Sequence, residues 1–329
     1  MISVVVPIYN EQELITTFHA AVAAALADIG EQWEVVYVND GSKDASLSLL
    51  RDIQKQDARA VVVDLSRNWG HMGAIHAGMR TARGDAIIIM DGDFQDPPQV
   101  LPELVEAWRG GAQVVVAVRR SREERRKVLA ALFPVFYRVL SAISDYPIPL
   151  DAGIFGLLDR QALDAINALR EGNRYLPGLR AWVGYKNAIV YYDRQDRLAG
   201  DGKLSFVSRI KYAMDAVCSF SYKPLRLCFG LSLVSLATAI VLALCTLLSS
   251  TPVGAAGLWI AASIFMVGCM FLLCLGIVGE YLGRVYDEVR DRPLSLINKV
   301  YYAQEGLATG TSAEFADSPA IATIKVRAA

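Results

Sequence analysis

Two uncharged apolar runs in the last third of this 329-residue chain constrain its fold more than any other feature. Residues 227–248 form a run of 22 without a charged side chain, and residues 255–279 a run of 25. A helix of about 20 apolar residues crosses the hydrocarbon core of a bilayer. Two such runs are poorly explained as soluble core. The short connection at 249–254 is uncharged and turn-rich, so the expected element is a membrane hairpin. Arg209, Lys211, Lys223 and Arg226 precede the first run; Arg284, Arg290, Arg292 and Lys299 follow the second. Basic flanks stay on the cytoplasmic side, which puts everything outside the hairpin, and both termini, in the cytoplasm. The N-terminus has no basic region before its apolar residues, and Glu11 and Glu13 follow at once. A signal peptide is therefore not expected.

The first 120 residues alternate short apolar β-rich runs with helix-forming stretches. Strands are expected at 2–8, 33–38, 60–65, 86–90 and 113–118. Helices are expected at 13–26, 45–54, 73–83 and 98–109. That rhythm predicts a parallel doubly wound α/β sheet. Polar clusters follow three of the strands, at 39–44, 66–70 and 91–98, and all should gather at one sheet edge, where open α/β sheets bind ligands.

The third cluster carries the most chemistry. An apolar run ends in Asp91-Gly92-Asp93-Phe94-Gln95-Asp96-Pro97-Pro98. Asp91 and Asp93 offer hard oxygen ligands that suit Mg²⁺ or Mn²⁺ bridging a diphosphate. A bare Asp-x-Asp is also often only a solvated acidic turn. Residues 119–127 hold six cations: Arg119, Arg120, Arg122, Arg125, Arg126 and Lys127. They read either as a solvated helix face or as a phosphate-binding wall built from guanidinium forks.

The remaining signals are weaker. Net charge is −1, which gives no electrostatic case for nucleic acid. All five cysteines lie between residues 218 and 274 without Cys-x-x-Cys spacing, so neither a zinc site nor a disulfide framework is expected. An apolar helix is expected at 129–143. Residues 205–222 carry a helical apolar stripe suited to the membrane interface or to core packing. The tail beyond residue 303 shows little periodicity and reads as poorly ordered.

Together, Val4-Val5-Val6-Pro7-Ile8-Tyr9-Asn10-Glu11, Asn39-Asp40-Gly41-Ser42, Ser66-Arg67-Asn68 and the Asp91–Pro98 segment resemble the family 2 glycosyltransferases of GT-A fold. More narrowly, they look like the polyprenyl-phosphate transferases: dolichol-phosphate mannose synthases and GtrB-type undecaprenyl-phosphate glucosyltransferases. The segments at 174–179, 181–185 and 279–286 resemble the GtrB branch, and the resemblance covers about residues 1–300. It implies a GT-A (Rossmann-like), mostly parallel doubly wound sheet over 1–204, an interfacial helix over 205–226, membrane helices over 227–248 and 255–279, a cytoplasmic segment over 280–303, and a tail over 304–329.

The resemblance also implies roles. Pro7, Tyr9, Glu11, Asp40 and Asp91 would bind the nucleotide-sugar donor, with Arg197 and Lys203 on a loop that closes over it. Asp93 and Gln95, with Asp91, would ligate Mg²⁺ or Mn²⁺. Arg119 with Arg125 or Arg126 would hold the acceptor phosphate of a polyprenyl lipid. Asp93, Arg119 and Asp151 would serve the chemistry. Relatives often carry Gly-Asp-Phe-Arg or Gly-Ser-Phe-Arg where this chain reads Gly153-Ile154-Phe155-Gly156. The acidic residue of that pattern is Ile154 here, and a phosphate monoester, with its second pKa near 6, is already ionised and needs positioning more than deprotonation. The implied reaction is inverting transfer from UDP-glucose, another UDP-sugar or GDP-mannose to undecaprenyl phosphate, by a homo-oligomer in a prokaryotic inner membrane. A processive synthase would need a Gln-x-x-Arg-Trp motif and further spans, which the sequence lacks. The remaining alternative is a silent adaptor that keeps the fold.

Overall fold

A computed structural model describes residues 1–120, 152–169, 171, 174–193, 223–248 and 253–302. The helices expected at 129–143 and 205–222, the cations from Arg122 to Lys127, and the tail lie outside the described residues.

The elements follow the order β1 (Ile2–Ile8), α1 (Ile15–Ala27), β2 (Trp33–Asn39), α2 (Ser46–Gln56), β3 (Ala60–Leu65), α3 (His71–Thr81), β4 (Ala86–Ile89), α4 (Leu101–Arg109) and β5 (Val114–Arg119). A single 3₁₀ turn, Pro98–Val100, leads into α4. Then come β6 (Ala152–Asp159), α5 (Arg160–Ala168), α6 (Leu176–Trp182), β7 (Asn187–Tyr192), α7 (Lys223–Leu248), α8 (Val253–Val289) and β8 (Ile297–Tyr301). Every element expected before residue 120 forms, with ends displaced by a few residues at most.

The eight strands make one sheet in the order β7-β5-β6-β4-β1-β2-β3-β8. Strands β1 to β4 pair in parallel, as do β5 and β7. The sheet is mostly parallel, as expected, with two antiparallel members that the strand–helix rhythm did not mark. Strand β6 runs antiparallel between β4 and β5, and β8 runs antiparallel along β3. The rhythm could not show either, because both strands arrive after long excursions of the chain.

Side chains alternate across the central strands. Val4 and Val6 join one apolar layer with Phe18 and Val22 of α1, Leu50 of α2 and Leu104 of α4. Val5 joins the opposite layer with Ile75 and Met79 of α3, Leu163 of α5 and Leu179 of α6. Both faces are covered, so the strands read as continuous apolar runs rather than as alternating patterns.

Helices α7 and α8 run through both uncharged stretches. Among the described residues, Trp259–Val289 is one helix long and apolar enough to cross a membrane. The two helices touch where Cys228 and Cys274 meet, each Sγ 3.8–3.9 Å from the other residue's carbonyl oxygen. Those residues lie nearly equal distances before and after the connection at 249–252, as an antiparallel pair requires.

Candidate active site

The parallel strands β1 to β5 and β7 end at the same sheet edge. Their loops converge there and are laced together. Asn10, held at φ 56°, donates its backbone N–H to Ser42 Oγ (3.1 Å) and accepts from Lys43 N–H at Oδ1 (2.8 Å). Glu11 N–H reaches Ser46 Oγ at 3.0 Å. The loop after β2 is tied in turn to the loop after β3, because Asp40 Oδ1 accepts the N–H of Trp69 at 2.7 Å. These loops approach so closely that a Cβ on Gly41 (φ +65°) would lie 2.5 Å from the backbone of Arg67 and Asn68. Asp40 itself is buried, so one of its oxygens braces the neighbouring loop.

Strand β4 stops at Ile89, and Asp91 to Asp96 form a turn rather than an extension of the strand. Asp93 Oδ1 accepts the N–H of Gln95 at 3.0 Å. Asp96 Oδ2 accepts the N–H of Asp91 at 3.3 Å. Phe94 adopts φ 61°, an uncommon conformation for a bulky residue, and its ring meets Phe18 edge-on at 5.2 Å. His71, at the start of α3, brings Nε2 within 3.3 Å of Asp91 Oδ1.

Asp96 is the most deeply buried carboxylate of the turn, ahead of Asp93. Burial, and then the neighbouring Asp91, push its carboxyl up to about 6; the Tyr192 hydroxyl and the Asp91 amide pull the other way. Tyr192 ends β7 and donates its hydroxyl to Asp96 Oδ1 at 2.9 Å. Arg119 ends β5, opposite Tyr192 in register, and its Nε donates to the same hydroxyl at 3.3 Å. Burial and then Asp96 push the tyrosine up to about 12.

The turn offers the carboxylates of Asp91 and Asp93 and the amide of Gln95, with Arg119 on the neighbouring strand end, a set of hard oxygen donors that a divalent cation could use. Among the described residues, no group of three or more His, Cys, Asp or Glu side chains could hold a metal by itself. A magnesium-type ion is usually held by one or two carboxylates, with phosphate oxygens and waters completing the shell, so Asp91, Asp93 and Gln95 fit that arrangement.

A family model for glycosyl transferase family 2 matches residues 3–166. An uncharacterized glycosyltransferase, YkcC, of Bacillus subtilis is 40% identical over 91% of this chain and 94% of its own length. The chain belongs to glycosyl transferase family 2. A prophage bactoprenol glucosyl transferase homolog of Escherichia coli is 35% identical over 91% of this chain and 99% of its own. Among solved structures, a mannosyltransferase from Pyrobaculum calidifontis in complex with GDP-Man and Mn²⁺ aligns with 85% of this chain and 86% of its own, at 20% identity and a TM-score of 0.38. That likeness is too distant to bear on the chemistry.

In this family 2 glycosyltransferase, Pro7, Tyr9, Glu11, Asp40, Asp91, Asp93, Gln95 and Arg119 all stand on the strand ends or loops of that one edge. Asp151, Arg125, Arg126, Arg197 and Lys203 lie outside the described residues. Several participants carried no assignable role in the sequence. Asp96 was visible as a third acid in the turn but not as its buried brace. His71 had no motif to mark it. Tyr192 sits on a strand that local pattern did not reveal.

Arg180 is the other such residue. It comes from α6, is fully buried, and reaches the segment where the family pattern is broken. Its guanidinium donates to the carbonyls of Ile154 (2.6 Å), Gly153 and Phe155 (both 3.5 Å). A Cβ on Gly156 would lie 3.2 Å from Arg180 Nη1 and 2.3 Å from the Val115 carbonyl. Burial lowers Arg180 to about 10, which leaves it a cation at neutral pH. An arginine delivered by a different element thus occupies the space beside Gly156 and fixes the first residues of β6, next to Arg119.

Proposed function

We propose that this glycosyltransferase moves one sugar from a nucleotide-sugar, UDP-glucose first, to a polyprenyl phosphate at the cytoplasmic face of a membrane. The observation that carries this reading is topological. Strand β7 ends at the ligand edge, at Tyr192, and the chain then leads to α7. Strand β8 begins at that edge after α8, since Ile297 pairs with Leu65 and Leu296 accepts the N–H of Ser66 at 2.9 Å. Both connections to the apolar helices therefore leave from the edge that gathers Asp40, the Asp91–Asp96 turn and Arg119. Departure of both connections from that edge supports a site that faces the lipid headgroups. The bactoprenol glucosyl transferases among the relatives support the same acceptor class.

The division of labour follows from the charges. Asp40 and the loops after β1 to β3 hold the nucleotide. Asp91, Asp93 and Gln95 would hold a divalent ion, which would supply positive charge to the diphosphate leaving group. Arg119 orients the lipid phosphate and offsets its repulsion from the donor. A phosphate oxygen forms the new bond to the anomeric carbon as the bond from that carbon to the nucleoside diphosphate breaks. Attack from the face opposite the leaving group inverts the anomeric centre. No side chain needs to remove a proton, because the acceptor is already ionised.

The test offers membranes containing the protein a panel of labelled nucleotide sugars with undecaprenyl phosphate. Label entering the lipid phase from UDP-glucose is expected. No lipid-phase label from any donor would overturn the reading. Metal-dependent turnover surviving Asp93→Ala would overturn the assignment of the turn.

A further inference from the structure

The two halves of this site are joined by a residue that neither motif contains. Tyr192 is buried, with its ring packed edge-on against Phe155 at 5.2 Å. Its hydroxyl has two partners on opposite sides of the reaction. It donates to Asp96 Oδ1 at 2.9 Å, and Asp96 in turn accepts the N–H of Asp91. It accepts from Arg119 Nε at 3.3 Å. One hydroxyl hydrogen and one lone pair satisfy both bonds, so the geometry needs no second donor. Arg119 is thereby held through Nε, and among the described residues no hydrogen-bond partner takes its terminal nitrogens. Nη2 lies 3.7 Å from where a Cβ on Gly153 would stand, so the glycine leaves open space beside that nitrogen.

We propose that Tyr192 is the positioning residue that fixes Arg119 for the acceptor phosphate and ties it to the Asp91–Asp96 turn on the donor side. The proposal rests on the reading of Arg119 as an acceptor-phosphate ligand. A guanidinium held at Nε presents its terminal pair as a preset fork, and a planar fork matches phosphate geometry. Released, the same side chain samples rotamers that miss the phosphate, and the loss falls on the acceptor. The donor turn keeps its own ties, because the Asp91 N–H to Asp96 and the Gln95 N–H to Asp93 bonds do not involve the tyrosine.

The test compares full-length wild type with Tyr192→Phe, which keeps the ring and removes only the hydroxyl. Steady-state kinetics with undecaprenyl phosphate and UDP-glucose give kcat and the acceptor KM, and calorimetry with UDP and Mn²⁺ gives donor-side binding. The acceptor KM is expected to rise about tenfold, the effect of one hydrogen bond to a charged group. The Kd for UDP should stay within twofold. Asp96→Asn has one acceptor oxygen for the two hydrogens that Oδ1 and Oδ2 now take, so it should weaken UDP binding as well as raise the acceptor KM, a pattern distinct from that of Tyr192→Phe. In Tyr192→Phe, an acceptor KM within twofold of wild type would overturn the proposal. So would a parallel loss of UDP binding, which would mark Tyr192 as a general core residue. A wild-type protein that labels no lipid with any donor sinks the functional reading and this inference together, whereas an active wild type with an indifferent Tyr192→Phe sinks this inference alone.

Discussion

Gly41→Ala should impair the donor half of the site by a route that can be worked out from the coordinates. Gly41 has φ +65°, and an added Cβ would stand 2.5 Å from Arg67 C and Asn68 N. Ordinary contact begins at 3.4 Å, so the loops after β2 and β3 must separate by about 0.9 Å. The bond between Asp40 Oδ1 and the Trp69 N–H spans the same two loops at 2.7 Å; lengthened to about 3.6 Å it is no longer a hydrogen bond. A left-handed alanine costs about 1–2 kcal/mol, and losing a hydrogen bond to a charged group costs about 1.5–3 kcal/mol. Together these are a large share of the roughly 5–15 kcal/mol by which domains are stable. Gly30→Ala is the control, because Gly30 has φ +77° but nothing within 4 Å of the added carbon. Thermal unfolding in detergent and the donor KM are the assays. Gly30→Ala should lower Tm by the backbone cost alone with an unchanged donor KM. Gly41→Ala should lower Tm further and raise the donor KM at least tenfold. A Gly41→Ala protein that matches Gly30→Ala in both measurements would refute the claim that close loop contact holds Asp40.

Other expectations follow from the same structure. His76 on α3 is buried, its Nε2 has no hydrogen-bond partner among the described residues, and burial, then Arg174 and Arg80, lower its pKa to about 3. The unfolded chain therefore binds this proton more tightly, and stability should fall as pH drops below 6.5, by about 1.4 kcal/mol per unit until the folded pKa is reached. Denaturant unfolding across pH 4–7 should show that slope, and His76→Leu should flatten it. Arg180→Met should lower Tm and raise the acceptor KM more than the donor KM, because the carbonyls it serves begin β6 beside Arg119; equal changes in both constants would count against that placement. Copper–phenanthroline oxidation of membranes should link Cys228 to Cys274 within one chain, seen as faster migration without reductant. Cys228→Ser should abolish the shift, and persistence of the shift would show that the α7–α8 contact is misassigned.

What could be read from sequence was what local pattern encodes. The strands from β1 to β5 announced themselves as β-branched runs closed by Gly, Pro and Asp. The apolar helices announced themselves by length. The Asp91–Asp96 turn was marked by an abrupt change from apolar to acidic within one segment. The later strands gave no comparable signal. Strand β6 carries two glycines, and β7 and β8 are short edge strands whose outward residues, such as Ile189, Tyr191 and Ile297, are exposed. Their places depend on pairing with strands far away in the chain, and loop closure over such distances leaves no local periodicity.

The same division runs through the site. Sequence alone determined that these loops would meet at one edge, because parallel strands end their loops on one side of the sheet. Tertiary structure decided how those loops are held. The Tyr192–Asp96 bond joins residues 96 positions apart, and Asn298 reaches across 234 positions to the buried Asp64, which also accepts from Asn39 at the end of β2. Hydrogen bonds between such distant groups depend on the folded backbone bringing a donor within about 3 Å of an acceptor, and no spacing of residues along the chain records that.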